Sequence, residues 1–119
     1  MFSIIIPTFN NLEYLKLCLK SLKKNSNYEH DIIIFINEGN DGTLTYVKDN
    51  NLKFLHSNIN KGVCFAFKDS AKIAKNKYLV LAHDDMYFCP RWDSVFFDEL
   101  KKIIVKSIFV NKGKKSITY

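Results

Sequence analysis

Two adjacent carboxylates, Asp84 and Asp85, follow directly on the apolar residues 78–82 within "YLVLAHDDMYFCPRW". Like charges this close raise each other's pKa unless a cation or hydrogen-bond donors offset the repulsion. A divalent ion does this well. Hard carboxylate oxygens suit Mg2+ or Mn2+, which keep several waters and complete their shell with substrate phosphates. The alternative is a turn in which Asp84 is a cap and Asp85 is solvated, a common use of Asp in loops. The chain has no GxGxxG after its first apolar run and no GxxxxGK[ST] anywhere, so the usual dinucleotide and P-loop phosphate cradles are ruled out.

Strand-like and helical patterns alternate almost from the first residue, and they set where these acids stand. Residues 2–6 form a β-branched apolar run closed by Pro7. Residues 11–24 place Leu12, Leu15, Leu19 and Leu22 at helical spacing, with Asn10 and Glu13 as a cap and its return partner. Residues 31–36 read as a second buried strand ended by the turn "NEGNDG", and residues 52–56 as a weaker third. Residues 61–75 look helical, with Val63, Ala66, Phe67 and Ala74 on one face. Residues 78–82 make a fourth strand, and Trp92, Phe96, Leu100 and Ile103 mark a helix after Pro90. Continuous apolar strands separated by amphipathic helices predict an α/β fold: an open, mainly parallel sheet with helices on both faces. Ligands of such sheets bind at the carboxyl ends of the strands, here "PTFN", "NEGNDG" and "HDDM".

With 119 residues, 47% of them hydrophobic, the chain suits one domain with a real core. No stretch approaches the roughly 20 apolar residues of a membrane span, and the N-terminus lacks a signal peptide's basic flank and cleavage site. A cytoplasmic protein is expected. Cys18, Cys64 and Cys89 are widely spaced and in no CxxC pair, which argues against a disulfide framework or a zinc site. Reduced thiols, mostly in the core, are expected. The formal charge of +6 comes from lysines spread along the chain and enriched near its end. It suits nucleic acid, peripheral association with an anionic membrane, or a phosphorylated small molecule, and equally a compositional bias toward Lys, Asn, Ile and Phe. Nucleic acid is disfavoured, because no helix-turn-helix, aromatic RNA-binding strand or zinc-finger signature is present.

The segments "SIIIPTFN", "DIIIFINEGNDGT", "NINKGVCFA" and "YLVLAHDDMYFCPRWD", in that order, together resemble the family 2 glycosyltransferases of the GT-A (Rossmann-like) fold. The resemblance covers nearly the whole chain. It implies a nucleotide-sugar-binding domain over residues 1–105, followed by a short basic tail, 106–119, or a truncated continuation; by its own residues, 110–119 is uninformative, or a short strand and a frayed end. Pro7, Thr8 and Asn10 match the Pro-Thr/Ser-x-Asn turn that borders the nucleotide. Asn37 replaces the usual acid that hydrogen-bonds the base; an amide both donates and accepts, so pairing with a uracil edge stays open, and Glu38 is the alternative. Asn60, Lys61 and Gly62 match an Asn-x-Gly turn, the glycine admitting backbone close to the donor and Lys61 offsetting phosphate charge. Lys68 stands where the family often carries Arg-Asn. Asp84 and Asp85 fall on the DxD motif: Asp85 as the metal ligand for Mn2+ or Mg2+, Asp84 as a ribose or neighbouring partner, His83 in the place of the first acid. Pro90, Arg91 and Trp92 resemble a Pro-Gly-Trp turn, with Trp92 anchoring the next helix.

The resemblance thus implies an inverting, metal-dependent transferase, or its donor-binding half, acting on a nucleotide-diphospho-sugar, a UDP-sugar above all. The acceptor, a saccharide or another hydroxyl compound, is not indicated. Such enzymes need a general base well beyond the DxD element, and only Asp93, Asp98 and Glu99 follow it here. Base assistance is typically worth roughly 10² to 10⁴ in rate. A non-catalytic nucleotide-sugar-binding module is therefore the alternative. A missing acceptor half would leave apolar surface exposed, which predicts self-association.

Overall fold

The structure, a computed structural model, describes residues 1–113, with side chains as far as Ile103. The element order is β1 (Phe2–Phe9), α1 (Leu12–Asn25), β2 (Asp31–Asn37), α2 (Thr43–Asp49), β3 (Phe54–Ser57), α3 (Gly62–Ala71), β4 (Tyr78–Leu81) and α4 (Trp92–Gly113). The sheet runs β3-β2-β1-β4 with every pair parallel. Its central strands are buried on both faces, which is why they read as unbroken apolar runs rather than alternating ones. Phe2, Ile4, Ile6, Ile34 and Ile36 form the main core with Leu15, Cys18 and Leu22 of α1, Val47 of α2 and Trp92 of α4. The opposite face meets α3, where Phe35 lies edge-on to Phe65 with ring centres 6.0 Å apart. Helices on both faces are thus observed. Among the described residues no helix is long and apolar enough to cross a membrane.

The local differences from expectation have physical causes. Pro7 does not close β1; the strand continues through it to Phe9. The Ile5 carbonyl accepts from Ala82, so Ile5 and, two residues on, Pro7 turn their backbone groups toward β4. β4 has already ended there, its last pair being Ile5 with Leu81, so a residue without an N–H loses no ladder bond. The Asn10–Glu13 cap does not form either. Asn10 sits at φ 45° and its side-chain oxygen accepts from the Asn40 N–H, while the first turn of α1 is capped from outside by Asp41, which accepts from Leu12 at 3.0 Å. Asp41 also caps α2, accepting from the Thr43 N–H and hydroxyl. That helix was not legible in "TLTYVKD", whose β-branched residues favour strands. α3 ends at Ala71, short of residue 75, and Val63 on its expected inner face is 44% exposed. Cys18 is buried, but Cys64 and Cys89 are exposed rather than core. α4 crosses the expected boundary at 105/106; no strand occurs up to Gly113, and residues 114–119 lie outside the described residues.

The chain does not enter α4 at the carboxyl edge of the sheet. Residues 82–91 run back along the core face, and Trp92 packs against Phe2 and His30 at the amino edge, beside the end of α1. Arg91, in the place of a glycine, adopts φ 62° and donates its N–H to the Asn25 carbonyl. Asp93, fully buried, then ties α4 down: it accepts from the N–H groups of Asn27, Tyr28 and Ser94 and from His30 Nε2 at 2.9 Å. His30 Nδ1 accepts the Phe2 N–H at 3.0 Å, so its proton resides on Nε2 and the ring is the neutral tautomer.

Burial raises the Asp93 pKa, but the hydrogen bonds from His30, Asn27, Tyr28 and Ser94 outweigh it and hold the carboxyl below its ordinary value. A depressed carboxylate stabilises the fold fully above its unfolded value of about 3.9 and stops doing so as pH falls through the folded value. Asp93→Ala is expected to lower stability at pH 7 by about 3 kcal/mol or more, since each buried group left unsatisfied costs about 1–3 kcal/mol. Denaturant titration should show that deficit shrinking below about pH 4.

Candidate functional site

β1 outruns β4, and the sheet's chain order reverses between them, with β2 and β3 on one side of β1 and β4 on the other. Connections leaving neighbouring strands in opposite directions leave a crevice at their carboxyl ends. A cleft of about 300 Å³ lies at this edge, lined by Pro7, Thr8, Phe9, Asn11, Asn37, Asn60, Gly62, Val63, His83 and Asp84. Across it the Thr8 hydroxyl donates to Asp84 Oδ2 at 2.8 Å. That bond fixes one carboxylate oxygen and, among the described residues, leaves the other without a hydrogen-bond partner. Asp85 is exposed beside it and lies outside the lining.

Beneath the acids, the Cys18 thiol donates to the His83 carbonyl at 3.7 Å. Burial, then the charges of Asp84 and Asp85, push its pKa up to about 12. His83 does not bond backbone through its ring, which stands edge-on to Phe67 with centres 6.2 Å apart. Its main chain closes the acid turn, the carbonyl accepting from the Met86 N–H. Trp92 anchors α4 as expected and is far from the cleft: Phe2, against which it packs, and Thr8 are separated by six residues of β1, roughly 20 Å.

At the other end of the cleft, Asn37 is 3% exposed and its Oδ1 accepts from the Lys61 N–H at 3.0 Å. Gly62 adopts φ 81°, and a Cβ there would meet nothing within 4 Å. Glycine is needed for the backbone conformation rather than to make room. The Asn60 side chain accepts from the Gly62 N–H at 2.9 Å and completes the turn. The cleft thus unites Pro7, Thr8, Asn37, Gly62 and Asp84. Asn10, Glu38, Lys61 and Asp85 are near in sequence but not in its lining. Glu38, at φ 62°, contributes backbone: its N–H donates to Ser57 and its carbonyl accepts from His56. The Lys61 ammonium lies 4.5 Å from the centre of the Phe65 ring, and Lys68 is exposed. Phe9 belongs to the turn that the resemblance set beside the nucleotide, whereas Asn11 and Val63 were missed by sequence reasoning; only their place beside the strand ends, visible once pairing is known, marks them.

The residue types fit a hard divalent cation. Asp84 and Asp85 offer carboxylate oxygens, but among the described residues no three His, Cys, Asp or Glu side chains cluster. An ion here would take the rest of its shell from water and phosphate oxygens. A second groove, of about 930 Å³, lies between α1 and the start of β2, away from these acids.

The sequence model described as glycosyl transferase family 2 matches residues 3–117. The chain belongs to glycosyl transferase family 2. An uncharacterised glycosyltransferase of Mycoplasma genitalium is 29% identical over 96 residues, spanning 74% of this chain and 32% of that relative. Among solved structures, the mannosyltransferase PcManGT of Pyrobaculum calidifontis, in complex with GDP-Man and Mn2+, superposes with a TM-score of 0.69 at 17% identity. It shares 79% of this chain and 30% of its own. TarS of S. aureus gives 0.69 at 25% identity, over 82% of this chain and 19% of its own. The fold of this family 2 chain is that of the GT-A glycosyltransferases, and it spans about a third or less of the length of these relatives.

The buried, charge-flanked Cys18 should resist thiol reagents. Titration with an aromatic disulfide near pH 8 is expected to modify Cys64 and Cys89 quickly, and Cys18 only after denaturant is added.

Proposed function

We propose that this chain is the donor-binding part of an inverting, metal-dependent glycosyltransferase that takes a nucleotide-diphospho-sugar. The observation that carries the proposal is the Thr8–Asp84 bond at the point where strand order reverses, with Asp85 free beside it. Asp85, assisted by the unbonded oxygen of Asp84, would hold Mn2+ or Mg2+. The bound ion supplies positive charge against the departing diphosphate. The protein's own part is to orient Asp84 through Thr8 and to seat the nucleoside between β1, β2 and the start of α3. A uridine link, which the resemblance implies, would fall to the Asn37 amide or to Glu38 in place of the usual acid.

A second reading, a binding module without transfer activity, is favoured by the placement of the later acids. Asp93 is consumed in tethering α4 at the amino edge, and Asp98 and Glu99 follow it on that helix, none near the cleft. Slow hydrolysis of a donor sugar that vanishes in Asp85→Ala would support the enzyme; donor binding with no turnover would support the module.

Calorimetric titration with nucleoside diphosphates, with and without Mn2+, tests what both readings share. Binding should require the metal and weaken at least about tenfold in Asp85→Ala, a loss of about 1.4 kcal/mol. Equal binding without metal would overturn the role of Asp85. Self-association has a surface in the edge strand β4, where Leu79 and Leu81 are 42% and 52% exposed. Gel filtration at rising concentration should show a dimer or larger species that Leu81→Lys weakens, and a clean monomer would count against it.

A further inference from the structure

No described lysine lines the cleft, so the net charge of +6 lies elsewhere, and part of it gathers on α1. This helix buries Leu15, Cys18, Leu22 and Asn25 against the rest of the fold. Its opposite side carries Tyr14, Leu17, Lys20 and Lys24, spaced three, three and four residues apart, so they line one outward stripe. Tyr14 is 57% and Leu17 59% exposed. A single exposed leucine is ordinary, but this one has apolar company. Residues 82–91 run along the same flank of α1, where the Asn25 amide reaches the Tyr87 hydroxyl at 3.4 Å and Tyr87 is itself 61% exposed. Arg91 joins the far end of the stripe, its N–H donating to the carbonyl of Asn25, the neighbour of Lys24.

Lys20, Lys23, Lys24 and Arg91 enter no ion pair among the described residues, whereas Glu13 of the same helix is already paired with Lys16 at 3.4 Å. The other acids at the ends of this surface are Glu29, past the helix, and Asp85 in the acid turn. Exposed aromatic and aliphatic side chains thus stand among a surplus of unpaired cations. The surface is the outer ridge of a helix, convex, and the 930 Å³ groove lies to its side, toward α2. A ridge suits a broad, soft, negatively charged partner better than it suits a peptide, which needs a groove. We propose that this face of α1, with Tyr87 and Arg91, docks on an anionic lipid bilayer. Tyr14, Leu17 and Tyr87 enter the boundary between headgroups and acyl chains, while the lysine stems lie along it and their ammonium groups meet lipid phosphates. Neither contribution holds a protein firmly alone; together they give reversible binding. This surface is independent of the proposed donor site and does not rest on it.

The test is co-sedimentation of the whole chain with vesicles of phosphatidylcholine alone and of phosphatidylcholine mixed three to one with phosphatidylglycerol. The mixed vesicles should bind at least about tenfold more tightly, and raising the salt from about 0.1 M to about 0.5 M should weaken that binding. Lys20→Glu with Lys24→Glu should lower it at least about tenfold, and Leu17→Ser at least about threefold. These side chains are exposed, and circular dichroism checks that the variants fold. Lys75→Glu with Lys77→Glu makes the same change of net charge in the connection from α3 to β4, and should leave binding within about twofold of the wild type, because attraction to the membrane falls off within a Debye length. A chain that ignores the mixed vesicles, or binds both kinds equally, overturns the proposal. So does an equal loss in the two charge-reversed pairs, which would make binding a matter of overall charge. Binding that Leu17→Ser leaves untouched and that a soluble polyanion displaces would mark a polyanion site in place of a membrane face, and overturns it too.

Discussion

The Thr8 hydroxyl donating to Asp84 joins the end of β1 to the turn after β4 across a gap that no ladder bond spans. The gap exists because β1 is longer than β4 and because the chain crosses from β3 past β2 and β1 to reach β4. Parallel strands need crossovers, and the single reversal among them opens the sheet's edge at one place. Pro7 fits there because its missing N–H faces that opening. Without the bond, two adjacent acids would stand on a turn with only the weak Cys18 thiol contact beneath it.

The rest of the carboxyl edge is held by side chains that bond the backbone of the next loop. Asn10 takes the Asn40 N–H, Asp41 takes Leu12 and Thr43, and Asn37 takes Lys61. Each bond satisfies an N–H that a turn or a helix start would otherwise leave open. Three loops distant in sequence thereby form one rim. The same bonds take up part of what each side chain could offer a ligand: the Asn37 oxygen already accepts from the Lys61 N–H.

The acids of the chain divide by edge. Asp84 and Asp85 lie at the carboxyl edge, one partly bonded and one exposed. Asp93 lies at the amino edge, saturated by four residues' donors and out of contact with solvent. The first acid to follow Asp85 in the sequence is thus a structural tether.

Much of the architecture was legible because it is encoded locally. The apolar runs of β1, β2 and β4, the leucine spacing of α1 and the acid pair after β4 follow from burial on two faces, a 3.6-residue period and charge. What only the tertiary structure decided are the features that depend on a partner far along the chain: the outside cap on α1, the strand continuing through Pro7, the tethering of Asp93 and the bond from the Lys61 N–H to Asn37. A residue's type fixes which bonds it can make. Which of them the fold uses up, and which it leaves for a ligand, depends on neighbours brought within about 3 Å only when the strands pair.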